Sequence, residues 1–147
     1  MRGYEYREFL GHKAFYSNAE LRFPLVNAMA TPLGVVGGIR GVFYFNVGGA
    51  ALDNQPFKLY DRASVSIPDR ISATSTRNYN VTGFRLIDSR ASYGIGLETF
   101  ALGFPVHFDW SYRTLFNKGY EDYLFRASGG SAAWRKVRFA AWIGYDF

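Results

Sequence analysis

The sequence predicts an all-β fold, an antiparallel transmembrane β-barrel segment with five long strands, long external loops and short periplasmic turns. Three observations lead there. Apolar and polar residues alternate over five stretches, about 12–24, 35–47, 90–101, 105–114 and 135–147, and period two is the signature of a strand. Aromatic residues make up 19% of the chain, with 14 Phe and 11 Tyr beside 16 Gly, a mixture that favours strands and tight turns over helices. The stretches run to roughly ten to thirteen residues, longer than the usual soluble strand of about five or six and close to the ~9–11 that cross a bilayer at a tilt.

Residues 1–11 read as loop, with Gly3 and Gly11 among Arg2, Glu5, Arg7 and Glu8 and no period. In 12–24, Tyr16, Asn18, Glu20 and Arg22 share one face, opposite Phe15, Ala19, Leu21 and Phe23. A helix would put Glu20 beside Phe23 and bury a charge to no purpose. Asn27, Thr31 and Pro32 mark a turn over 25–33. In 35–47, Ile39, Phe43, Phe45 and Val47 oppose Arg40, Val42, Tyr44 and Asn46, and the glycines at 37, 38 and 41 suit a strongly coiled wall.

Residues 48–89 form a long polar loop in which 57–60 and 81–87 can make short strands. Such a length is out of place in a compact soluble domain and ordinary outside an outer membrane. In 90–101, Tyr93, Ile95, Leu97 and Thr99 oppose Ser92, Gly94, Gly96 and Glu98. After the tight turn Gly103-Phe104-Pro105, Val106, Phe108, Trp110 and Tyr112 oppose His107, Asp109, Ser111 and Arg113. Residues 115–133 read as loop. In 135–147, Val137, Phe139, Ala141, Ile143, Tyr145 and Phe147 oppose Arg138, Ala140, Trp142, Gly144 and Asp146. Connections alternate short and long, which puts 1–11, 48–89 and 115–133 outside and the C-terminus in the periplasm. Tyr16, Tyr112, Trp134 and Tyr145 are the expected interfacial aromatics.

Composition removes several classes of function. The net charge is +5, from 17 Lys+Arg against 12 Asp+Glu, but the basic residues are scattered, with Arg135-Lys136 the one adjacent pair. No nucleic-acid partner is expected on that pattern; a hydrated lumen or anionic lipid accounts for the excess. There is no Cys, so disulfides and thiolate metal sites are out. Phe23 to Ile39 is uncharged, yet Pro24, Pro32 and several glycines interrupt it, and it is shorter than the ~20 residues of a spanning helix. The opening Met1-Arg2-Gly3-Tyr4-Glu5 has no apolar export signal, so an exported product would be a fragment or a processed piece.

Taken together, these residues resemble the C-terminal part of the barrel in the BamA-like superfamily, the bacterial surface antigen family. That superfamily includes the BamA and TamA assembly factors, mitochondrial Sam and chloroplast Toc relatives, and two-partner-secretion transporters. Met1-Arg2-Gly3-Tyr4 resembles the family's (V/I)RG(F/Y) motif in the sixth external loop, and Asn18-Ala19-Glu20-Leu21-Arg22-Phe23-Pro24 the strand that follows. Val42 to Gly48 resembles the next strand, Gly94-Ile95-Gly96 through Gly103-Phe104-Pro105 to Asp109 the next hairpin, and Phe139 to Phe147 the terminal targeting strand. The order and spacing of these pieces carry the resemblance, which spans nearly all of 1–147.

The resemblance implies one outer-membrane barrel domain portion acting in assembly, insertion or translocation of proteins, with no cofactor and no bond made or broken. Arg2, Gly3 and Tyr4 would be a loop brace folded into the lumen, with Glu20 and Asn46 as partners. Asn46 stands where the family usually has Asp, so Glu20 would carry more of the pairing. Gly144, Tyr145 and Phe147 would serve the terminal strand as targeting signal and barrel seam. Partners would be outer-membrane lipids, client outer-membrane proteins and assembly machinery. Five strands cannot close even an eight-stranded barrel, and open edges are not viable in lipid. The remaining strands would come from the rest of the protein, other copies or a partner chain.

Other chemistry is thinly represented. His107, Asp109 and Ser111 share a strand face, but alternate residues lie about 7 Å apart and no oxyanion loop accompanies them. The two histidines, His12 and His107, lack metal-ligand spacing. Gly37-Gly38-Ile39-Arg40-Gly41 lacks the Lys-Ser/Thr of a phosphate loop. Two rival readings use the same strands: a passive pore or structural barrel built from several copies or with a partner chain, and a soluble lipid-binding β-barrel.

Overall fold

The computed structural model describes residues 1–5, 8–31, 34–53, 56–70, 74–101 and 103–144, with side chains described outside 28–37. Along the chain run β1 (Lys13–Thr31), β2 (Gly34–Ala51), β3 (Tyr60–Asp61), β4 (Val65–Arg70), β5 (Thr76–Val81), β6 (Arg85–Leu86), β7 (Ser89–Ala101), β8 (Phe104–Thr114), α1 (Lys118–Leu124), α2 (Gly130–Trp134) and β9 (Arg138–Ile143). The molecule is mostly antiparallel β-sheet. The main sheet is a meander in the order β1-β2-β7-β8-β9, with β1 and β9 as its edges and, among the described residues, no closure between them. Two small sheets, β3-β6 and β4-β5, arise from the insertion between β2 and β7. No described helix is long and apolar enough to cross a membrane.

The register lines up like with like. One row across the sheet reads Glu20, Tyr44, Gly94, Ser111 and Arg138; the next reads Leu21, Phe43, Ile95, Trp110 and Phe139. A slip of one residue in any pair would mix the two sets, so the alternation itself pins the pairing. The first row belongs to a polar face and the second to an apolar face. On the apolar face Leu21, Phe43, Phe45, Tyr93, Ile95 and Tyr112 are exposed and border a shallow groove of about 620 Å³.

Four elements differ from the sequence expectation. The turn expected over 25–33 is strand as far as Thr31, and β2 begins at Gly34; residues 32–33 lie outside the described residues. Pro24 is tolerated because β1 is an edge strand, where a missing N–H need not break a ladder. A register shift between Pro24 and Val26 takes up the irregularity. The loop expected over 48–89 begins later, since β2 runs on to Ala51, and it contains a hairpin, Val65–Arg70 with Thr76–Val81, that sequence reading left as loop.

The segment 115–133, expected as loop, folds into α1, a 3-10 turn at Arg126–Ser128 and α2. Asn117 caps α1, its side-chain oxygen accepting from the Tyr120 N–H at 3.0 Å. Buried Glu121 accepts from Nε and Nη2 of Arg135, the latter at 3.0 Å, and also from the Leu115 N–H at 2.7 Å. The last strand, expected over 135–147, is described as Arg138–Ile143. Trp134, expected at a membrane interface, is instead buried in a small core with Leu86, Ala91 and Leu115, against which Tyr4, Tyr120 and Phe125 pack. That core joins the inserted elements and the N-terminal segment to one end of the sheet.

Candidate functional site

The polar face is covered by the chain's own first residues. Met1 to Tyr4 form a tight turn, the Tyr4 N–H donating to the Met1 carbonyl at 3.2 Å. Gly3 occupies its third position with φ of 82°, the left-handed backbone that a type II turn requires there. It has a second reason to be glycine: a Cβ would stand 2.9 Å from that of Ser111. The turn therefore lies directly on β8.

Arg2 is the centre of the arrangement. Its guanidinium meets Glu20 on β1, Nη2 to Oε1 at 3.0 Å, and Asp109 on β8, Nε to Oδ2 at 3.5 Å. It also lies over the Tyr44 ring on β2, 4.6 Å from the centroid. The Arg2 carbonyl accepts from Ser92 Oγ on β7 at 2.7 Å, and Tyr4 Oη donates to the Ala91 carbonyl at 2.9 Å. Glu5 completes the span by accepting from Arg138 of β9 at 2.9 Å. Five residues at the N-terminus thus touch all five strands of the main sheet. A cation placed between two carboxylates and on an aromatic face is well compensated for its lost hydration.

The supporting residues are placed to match. Asp109 accepts from the Trp142 indole at 3.2 Å, and Glu20 accepts from Asn18 and Arg22. Tyr44 Oη and Ser111 Oγ are hydrogen-bonded at 2.6 Å. Glycines 94 and 96 make room: a Cβ on Gly94 would sit 2.5 Å from Tyr44 Oη, and one on Gly96 2.6 Å from Asp109 Oδ1. Burial pushes the Tyr4 phenol well above its usual pKa, against the pull of Arg90 and Arg113.

Asn46, the other expected partner of the turn, reaches it through Ser92 and not through the Arg2 guanidinium. It is fully buried, accepts from Tyr16 Oη at 2.7 Å and donates to Ser92 Oγ at 3.4 Å. Ser92 in turn donates to the Arg2 carbonyl. An ionised Asp could accept but not donate, so the amide makes a relay that steadies the backbone of the turn. Tyr16 points to this polar face, not to a girdle. Gly144 follows β9, its N–H donating to the Pro105 carbonyl at 3.0 Å; Tyr145 and Phe147 lie outside the described residues.

The residues that sequence reading missed as partners of Arg2 are Asp109, Tyr44 and Ser92. The available signal was parity: Tyr44, Ser92 and Asp109 share the face of Glu20, and the Gly94-x-Gly96 spacing clears that same face. His107, Asp109 and Ser111 each have a partner other than one another. His107 stacks on Trp142 at 3.7 Å, while Asp109 and Ser111 are engaged as above. Among the described residues no group of three or more His, Asp or Glu is placed to hold a metal ion. No family model, curated protein or solved structure matches this chain.

Proposed function

We propose that this chain is a five-stranded wall of a BamA-like outer-membrane barrel, working in the insertion or translocation of other outer-membrane proteins. The observation that carries the reading is the Arg2-Gly3-Tyr4 turn laid across the polar face, with Arg2 between Glu20 and Asp109. A loop arginine braced against wall carboxylates is what the resemblance implies for the lumen of such a barrel. The exposed apolar face supports the same reading, because that face would meet lipid while the polar face meets the lumen. The open edges of β1 and β9 would pair with strands that this chain lacks, from the same polypeptide, another copy or a partner.

The work is mechanical. An edge strand offers unpaired backbone groups on which a client strand can be templated, and the brace keeps the wall rigid beside it. The test is reconstitution of the polypeptide that carries this chain into phospholipid vesicles, followed by addition of a urea-unfolded outer-membrane β-barrel client. The expected result is client folding several-fold faster than in empty vesicles, read as the compact band on unheated gels. Ion conductance without acceleration would establish the passive pore instead. Solubility without detergent and no vesicle association would establish the soluble lipid binder.

A further inference from the structure

The apolar face does not stop at the end of the main sheet. Phe45 is followed ring to ring by Phe116, Phe84 and Tyr60, with centroids 6.2, 5.8 and 5.4 Å apart. All four side chains are exposed, between 39% and 48%. They come from β2, from the residues after β8, from the turn before β6 and from β3, so the fold gathers them from distant points of the chain. Phe116 holds φ of 64°, a left-handed backbone that an aromatic residue adopts only under strain. Its N–H donates to Thr114 Oγ1 at 2.9 Å. Core packing does not explain strain spent on holding a ring in the open.

Arg62 crowns the ridge, its guanidinium 5.7 Å from the Tyr60 ring and 5.9 Å from the Phe84 ring. Three other arginines at this end of the molecule are paired, Arg85 with Asp61, Arg126 with Asp69 and Arg135 with Glu121. Asp61, next in sequence to Arg62, is taken by Lys58 and Arg85. Among the described residues no carboxylate lies within ion-pair distance of the Arg62 guanidinium. A cation stacked on two rings, without a counter-charge, stands above a strip of exposed aromatic surface.

We propose that this ridge binds a phosphate-bearing amphiphile, its acyl chain lying along Phe45 and Phe116 and its phosphate on Arg62. The planar guanidinium forks with phosphate oxygens, and aromatic rings suit the boundary between acyl chains and headgroups. An acidic peptide fits less well, because the Phe45, Phe116 and Phe84 rings that make up most of the ridge offer a peptide backbone no hydrogen-bonding side chain. The site rests on the membrane reading above, which puts this end of the sheet at the outer leaflet.

The experiment is native mass spectrometry of the detergent-solubilised polypeptide titrated with phosphatidic acid, with diacylglycerol of the same chains, and with inorganic phosphate. Phosphatidic acid is expected to bind about tenfold more tightly than diacylglycerol, the yield of one charge-assisted pair. Arg62→Gln removes that preference, Arg62→Lys keeps part of it, and Phe116→Gly weakens both lipids. A preference unchanged in Arg62→Gln overturns the proposal, as does inorganic phosphate binding as tightly as the lipid. The two readings separate in the same preparation. A protein that needs detergent but shows no preference sinks the site alone. One that is soluble without detergent, yet keeps an Arg62-dependent preference, sinks the membrane reading alone.

Discussion

Two neighbours in β2 hold the contrast of the whole molecule: Tyr44 is 3% exposed and Phe43 is 50% exposed. The polar side of the sheet is the buried one. It holds Asn46, Asp109 and Ser111 in hydrogen bonds beneath the N-terminal turn. The apolar side leaves Phe43, Ile95 and Phe139 open. Water orders a sheet the other way round, since each large apolar side chain left exposed forgoes about 1.5–3 kcal/mol. A contiguous apolar surface of this kind marks a face made for another apolar phase or partner. On the membrane reading proposed above the two faces have different surroundings, and substitutions on them should then fail in different ways.

The largest effect is expected on the polar face. Arg2→Ala takes the guanidinium from buried Asp109 and leaves Glu20 to Arg22 alone, a loss of ~3 kcal/mol for a largely buried charge. The midpoint of urea unfolding in vesicles measures it, and an unchanged midpoint would end the idea of a brace. Pairing the change with Asp109→Asn should recover part of the loss, because the second substitution removes the orphaned charge. On the apolar face, Phe43→Arg should cost about 2–4 kcal/mol in vesicles, the cost of a cation at mid-bilayer on a lipid-facing strand. In a water-soluble protein the same substitution would raise solubility and leave stability nearly unchanged, so its sign separates the two surroundings.

Smaller changes sharpen the comparison. Gly3→Ala asks a Cβ to occupy left-handed backbone 2.9 Å from Ser111 and should cost ~1–3 kcal/mol, read in the same unfolding assay. Gly83→Ala shares the left-handed backbone but meets open space, so the difference between the two isolates the close approach to β8.

The smallest effect lies in the inserted loop. Hydrogen bonds from the Ala63 N–H and from Lys58 hold the Asp61 carboxyl at about 2. Its folded pKa is depressed, so the stabilisation is complete above the unfolded value of about 4 and is lost as pH falls from there towards about 2. Limited proteolysis of the loop should accelerate over that window. Asp61→Asn should flatten the profile.

The strands were legible because alternation is a property of consecutive residues. Leu21, Phe43, Ile95, Trp110 and Phe139 declare their face without knowledge of their neighbours, and the register then brings them into one row. The Arg2–Glu20 contact was legible from the resemblance and from parity together. The rest was hidden for physical reasons. Glu121 works as a buried ion-pair member because Arg135 closes over it from α2's far end, a contact no short window contains. Asp109 joined Arg2 because β8 lies opposite the turn, which depends on the sheet order. The extension of β1 past Pro24 required knowing that β1 is an edge.

The span of the N-terminal turn also sets a sequence of events in time. Arg2 can reach Glu20 by closing a short loop, but its carbonyl waits for Ser92, 90 residues away, and Glu5 waits for Arg138, 133 residues away. Contacts of such separation form late, because loop closure must be met before they add anything. Until β7, β8 and β9 are laid side by side, the turn has no surface to dock on. Docking therefore registers that all five strands are in place, and the turn works as a latch that only a completed wall can close.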